Sequence, residues 1–115
     1  MVIKSRELSN VVIFDIQGEI RRTDTVQETL HGLVEAQLDR GRRNLLLDFG
    51  GVEFIDSFGV GQILASYIST QHLGGKLKLC RISDKLLLIF KITMLDKVLD
   101  IHADCDHALE SFGRT

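Results

Sequence analysis

The sequence predicts an α/β domain: a mostly parallel, mixed sheet of four to five strands flanked by about four helices. Three observations carry that expectation. Short apolar runs rich in β-branched residues alternate along the chain with stretches of helical periodicity, and such alternation implies right-handed crossovers between parallel strands. One run, "NLLLDFG" at residues 44–50, is apolar almost throughout, as a strand covered on both faces must be. The 115 residues contain no proline, no low-complexity stretch and no repeat, so glycines supply the punctuation. At this length one domain over residues 1–115, with one core, is expected.

The elements follow in order. A first strand over Val2 to Leu8 turns at Ser9 and Asn10 into "VVIFDIQGEI" (11–20), whose β-branched residues predict a strand ending near Gly18. In "TDTVQETLHGLVEAQLDRG", Val26, Leu30, Leu33 and Val34 share one helical face. Thr25 with Glu28 has capping-box spacing, and Gly41 is a natural stop. After the buried strand 44–50, a second long helix begins near residue 57 and ends at Gly74 and Gly75. "KLKLCRI" (76–82) alternates as a strand does, and Ser83 caps a short helix through "DKLLLIFKI". That helix is more apolar than a surface helix requires: core packing accounts for most of it, but Phe90, Ile92 and Met94 cannot easily all face inward. "KVLDI" (97–101) reads as an edge strand and "DCDHALESF" (104–112) as a closing helix.

The segment "FIDSFGVGQIL" (54–64) breaks the pattern of a core-building strand. Stepping about 100° per residue places Val60, Ile63, Leu64 and Tyr67 on the buried face of the helix it starts. With Asp56 as N-cap, Ile55 and Val60 occupy the hydrophobic-staple positions; with Ser57 as cap, Gly61 would fall there and the staple would vanish. The first register leaves the Ser57 hydroxyl uncommitted at the first helical position, with Phe58 partly exposed. Gly59 and Gly61 each cost about 1 kcal/mol of helix propensity against alanine, which suggests that another backbone approaches there. A phosphate on Ser57 would suit the positive end of the helix yet repel a docked partner, because Asp56 already contributes a negative charge. A plain capping pair accounts for Asp-Ser equally well on physics alone.

"VVIFDIQGEI", "LLLDFGGVEFIDSFGVG" and "GGKLKLCRIS" together resemble the STAS family over essentially the whole chain, and within it the bacterial anti-sigma factor antagonists. Family members typically show Asp-Ser-Ser/Thr-Gly-Leu-Gly at the second helix, and Asp56, Ser57, Gly59 and Gly61 match that motif position for position. The resemblance implies a non-enzymatic protein without a cofactor. Its serine, here Ser57, is phosphorylated by an anti-sigma factor that is itself an ATP-dependent serine-protein kinase. The unphosphorylated form binds that kinase and frees the sigma factor, and a serine phosphatase resets the switch. Asp56, Phe58, Gly59, Gly61 and Arg21 are the expected partner-binding residues. Two of these depart from the family: Phe58 replaces a small hydroxyl residue, and Arg21 replaces an aspartate expected near the phosphorylation surface. A scaffold subunit of a stress-signalling assembly is the first alternative.

Composition excludes other classes. Fourteen basic and sixteen acidic side chains leave a formal charge of −2, without a basic block for nucleic acid. The aliphatic runs are far short of a bilayer span, and "MVIKSREL" lacks an apolar signal core, so a cytoplasmic location is expected. Cys80 and Cys105 are too few to imply a disulfide framework, and Cys80 reads as a small core residue. His102, Cys105 and His107 fit no standard zinc spacing, so no metal is expected. Ser57 lacks the preceding glycine of a nucleophile elbow, which makes a serine hydrolase the weakest alternative. Gly59 and Gly61 lack the remaining residues of a dinucleotide or phosphate-loop fingerprint.

Overall fold

The computed structural model describes residues 1–22 and 29–113. Strands β1 (Val2–Leu8) and β2 (Val11–Ile20) form an antiparallel hairpin. Its turn residues, Ser9 and Asn10, both have positive φ (49° and 67°), as the twist-matched two-residue hairpin turn demands. Helix α1 (Leu30–Asp39), strand β3 (Asn44–Ile55), helix α2 (Ser57–His72) and strand β4 (Lys76–Cys80) follow. Helix α3 (Asp84–Ile92), a 3₁₀ turn (Leu95–Lys97), strand β5 (Asp100–His102) and helix α4 (Cys105–Phe112) complete the chain. The sheet order is β1-β2-β3-β4-β5, with every pair after the hairpin parallel.

Strand alternation divides the interior into two. Val12, Phe14, Ile16, Leu45, Leu47, Phe49, Leu77 and Leu79 face a large core closed by Leu30, Val34 and Leu38 of α1, Ile63 of α2, and Leu86 and Phe90 of α3. Val11, Ile13, Leu46 and Cys80 point the other way, against Ala108 and Phe112 of α4. Both faces of β3 are therefore covered, as its apolar run requires. On α3, Phe90 is buried while Ile92 stays exposed, as does Met94 just beyond the helix.

Several boundaries differ from expectation for local reasons. The described part of α1 starts at Leu30, with Thr29 Oγ1 accepting from the Gly32 amide (3.0 Å). Val26 and the Thr25–Glu28 capping box lie outside the described residues. Gly41 does end the helix, at φ +88°. Strand β3 runs on to Ile55 because it keeps pairing with β2 through irregular register up to Ile20↔Ile55. The final strand is Asp100–His102, since Leu95–Lys97 wind into the 3₁₀ turn.

The buried face of α2 is Gly59, Ile63, Ser66 and Thr70, rotated from the aliphatic stripe expected, while Val60, Leu64 and Tyr67 are half-buried. Ser66 Oγ donates to Gln62 O and Thr70 Oγ1 to Ser66 O, both at 2.7 Å. Their hydroxyls are satisfied within the helix, so these small side chains can lie on the sheet without a desolvation penalty.

Cys80 is a buried core residue, as expected, but it is also bonded. Cys80 at the end of β4 and Cys105 at the start of α4 form a disulfide, with Cα atoms 5.3 Å apart, a pairing the sequence did not indicate. Asp104 caps α4 through the His107 amide (2.8 Å), which starts that helix directly over the end of β4. Lys78 anchors the same helix. Its Nζ donates to Ser111 Oγ (2.7 Å), pairs with Asp100 (3.2 Å) and lies 4.9 Å from the centre of the Phe112 ring. The His102–Cys105–His107 group is not gathered: Cys105 is in the disulfide, His102 pairs with Asp100 (2.8 Å) and His107 with Asp104 (2.7 Å).

Candidate functional site

The site is built where β2 and β3 end side by side. The Asp56 amide donates to Ile20 O (3.2 Å), which ties the exit of β3 to the last residue of β2. Asp56 then adopts extended backbone (φ −103°, ψ −175°) and caps α2. Its Oδ1 accepts from the Gly59 amide (2.8 Å) and its Oδ2 from the Arg22 amide (3.1 Å). One carboxylate thus bridges the head of the helix and the chain leaving β2. The Gly59 amide foremost, with that of Arg22, holds the Asp56 carboxyl below the usual carboxylate range, against the upward push of partial desolvation.

Because Asp56 does the capping, Ser57 stands at the first helical position. It is exposed, and among the described residues its hydroxyl makes no hydrogen bond. Ile55 and Val60 both join the main core, as the staple expects. Phe58 is half-buried, with the Arg22 guanidinium 5.0 Å from its ring centre. Phe54, at the end of β3, is 40% exposed. The group therefore offers a solvated hydroxyl, two aromatic rings and a cation on one corner of the molecule.

The two glycines part company here. Gly61 is exposed, and nothing lies within 4 Å of the position a Cβ would take. Gly59 is buried: a Cβ there would collide with Ile20 O and come within 2.6 Å of Ile55 Cγ1. The backbone that approaches Gly59 is the protein's own strand β2. Only Gly61 keeps the open surface that both were expected to provide.

Arg21 is exposed, and its Nε is 3.5 Å from Glu19 Oε1. The adjacent Arg22 contacts both Asp56 and Phe58, and reading the sequence alone passed over it. The "RR" pair after β2 was visible. What decides which arginine faces the helix is the parallel register Ile20↔Ile55, which is a tertiary fact.

No imidazole reaches Ser57 among the described residues. His31 bonds Ser69 (2.9 Å) and Glu35 (2.7 Å), His72 lies in the last turn of α2, and His102 and His107 have the partners already given.

A helix-flanked, mostly parallel sheet with an acid-capped second helix and a solvated serine at its head defines a class of small α/β domain. The STAS domain family matches residues 2–108, and the chain belongs to that family. Its relatives include an anti-sigma-B factor antagonist of Listeria monocytogenes, 30% identical over 86% of this chain and 84% of the relative. The anti-sigma-B factor antagonist of Bacillus subtilis is 28% identical over 91% and 94%. A solved anti-sigma-factor antagonist (STAS) domain protein from Planctomyces limnophilus has the same fold: TM-score 0.83 at 20% identity, covering 96% of this chain and 97% of that one.

Proposed function

We propose that this chain is an anti-sigma factor antagonist that works as a phospho-switch at Ser57. The observation carrying the proposal is the division of labour at the head of α2: Asp56 is committed to the cap, and Ser57 is left exposed beside it, its hydroxyl unbonded among the described residues. The unphosphorylated protein docks on an anti-sigma factor through Ser57, Phe58, Gly61 and neighbouring Arg21, and the sigma factor is released. The same partner, as a serine kinase, transfers the γ-phosphoryl group of ATP to Ser57 Oγ. ADP leaves, and the hydroxyl proton passes to a base of the kinase. A serine phosphatase reverses the modification.

Physical reasons support each half of the switch. The first-turn amides of a helix favour negative charge, so a phosphate at Ser57 is compatible with the fold. The same group carries a charge of about −1.5 to −2 and must be desolvated in any interface, beside an Asp56 that is already ionised. Docking therefore weakens while folding persists. Among the described residues no imidazole reaches Ser57, which favours a substrate of phosphoryl transfer over a hydrolase. The chain is then a binding protein, not an enzyme.

Incubation with its anti-sigma factor kinase and ATP should add one phosphate to the wild type and none to Ser57→Ala. Ser57→Ala should retain binding, and Ser57→Asp should bind more weakly. Phosphate incorporated equally into Ser57→Ala would overturn the assignment. Large assemblies by light scattering, indifferent to Ser57→Asp, would point to a scaffold instead.

A further inference from the structure

The reading of Ser57 as a phosphate acceptor leaves open what receives the new charge inside this molecule, and the structure offers a specific residue. The backbone of Arg22 is fixed to the head of α2 by its amide bond to Asp56 Oδ2 (3.1 Å). Its guanidinium rests over Phe58, the residue after Ser57, with Cζ 5.0 Å from the ring centre. Among the described residues it has no carboxylate partner, whereas Arg21 is paired with Glu19. Arg22 is thus an exposed cation parked on a neutral aromatic ring, one residue from the hydroxyl.

We propose that Arg22 is the phosphate sensor of the switch: on modification of Ser57 its guanidinium leaves the Phe58 ring and pairs with the phosphoryl oxygens. The exchange follows from the relative strength of the two partners. An exposed cation–aromatic contact is weak, while a guanidinium presents two parallel N–H donors matched to phosphate oxygens, and the bonds are charge-assisted. Arg22 stays tethered at its amide, so only its side chain needs to swing. Two features of the docking surface then change together. The Phe58 face loses its cationic cover, and the corner loses a positive charge that an acidic partner group would have met. The phosphate thereby alters the shape and the charge of the surface, beyond simply adding a negative group to it. Asp56 accepts the backbone amides of Gly59 and Arg22, and among the described residues the Arg22 guanidinium forms no ion pair with it.

This inference rests on the phospho-switch reading, but its test does not need the kinase. Phosphoserine can be placed at residue 57 during translation and its second ionisation, near pH 6, followed by ³¹P NMR. The expected result is that Arg22→Gln raises the apparent phosphate pKa by about half a unit, roughly a threefold gain in proton affinity. Arg22→Lys should recover part of the difference, and Arg21→Gln should leave the titration unchanged. Phosphorylation should also move the Phe58 ring signals of the wild type toward those of unphosphorylated Arg22→Gln. A titration identical in wild type and Arg22→Gln, or an equal shift in Arg21→Gln, would overturn the assignment. Glutamine keeps the amide that Asp56 uses, so the helix cap is preserved throughout. A kinase that fails to modify Ser57 would remove the switch reading while leaving this titration intact.

Discussion

Two glycines of one motif should respond in opposite ways to the same substitution. Alanine is favoured over glycine in a helix interior by about 1 kcal/mol, and both Gly59 and Gly61 lie in α2. At Gly61 nothing stands within 4 Å of the added methyl group, so Gly61→Ala should stabilise the protein by about that amount. At Gly59 the methyl group meets Ile20 O, Ile55 Cγ1 at 2.6 Å and Ile20 Cγ2 at 3.0 Å. The first of these is backbone and is held by the Asp56 amide, so it cannot rotate away. Overpacking of this kind costs about 1–3 kcal/mol, or more against a fixed carbonyl, and exceeds the propensity gain. Gly59→Ala should therefore be destabilised by about 1–2 kcal/mol, leaving the two variants roughly 2–3 kcal/mol apart. Urea unfolding followed by circular dichroism reads this as midpoints separated by about 1 M or more, for a slope of about 2 kcal/mol/M. Equal midpoints for the two variants would refute the claim that α2 is pressed onto β2 at Gly59. In a docking assay Gly61→Ala should nonetheless bind the anti-sigma factor less well, because its surface lies open to the partner.

The remaining predictions concern the cap and the second face of the sheet. Asp56 has a folded-state pKa below its unfolded value, so its contribution to stability is full at neutral pH and is lost as pH falls through the folded pKa. Asp56→Asn, which can still cap, should flatten the acid limb of a stability–pH curve; an unchanged limb would show that the carboxylate charge adds nothing. The Cys80–Cys105 disulfide spans a sequence separation of 25, for which loop closure gives about 3.5 kcal/mol. Reduction or Cys105→Ser should lower the urea midpoint accordingly, and thiol counting on the denatured, unreduced protein should find no free thiol. A midpoint indifferent to reductant would contradict the bond's role in holding α4.

The cap of α2 was legible because its signal is local. Asp56, Ile55 and Val60 fall at fixed offsets along the chain, and only one register satisfies all three. The class of the sheet was legible for the same reason: Leu45, Leu46 and Leu47 can be covered only by layers on both faces. Features that depend on neighbours distant in sequence were not. Ser66 and Thr70 look like surface residues until the fold is seen to bury that face of α2. Cys80 and Cys105 carry no pairing information until the end of β4 lies beneath the cap of α4. Gly59 and Gly61 are interchangeable on paper, and only the position of Ile20 separates an internal contact from an open surface. Arg22 was passed over in favour of Arg21 because a family motif marks a position, whereas a side chain's neighbours come from register.

The central claim is that charge gained at Ser57 disrupts docking and leaves the fold untouched. Placing phosphoserine at residue 57 and measuring both anti-sigma factor affinity by calorimetry and the urea midpoint on the same preparation tests it most directly. The account predicts affinity reduced by at least about tenfold, a loss of roughly 1.4 kcal/mol or more, with an unchanged midpoint. Undiminished affinity, or a loss of affinity accompanied by a matching loss of stability, would contradict it.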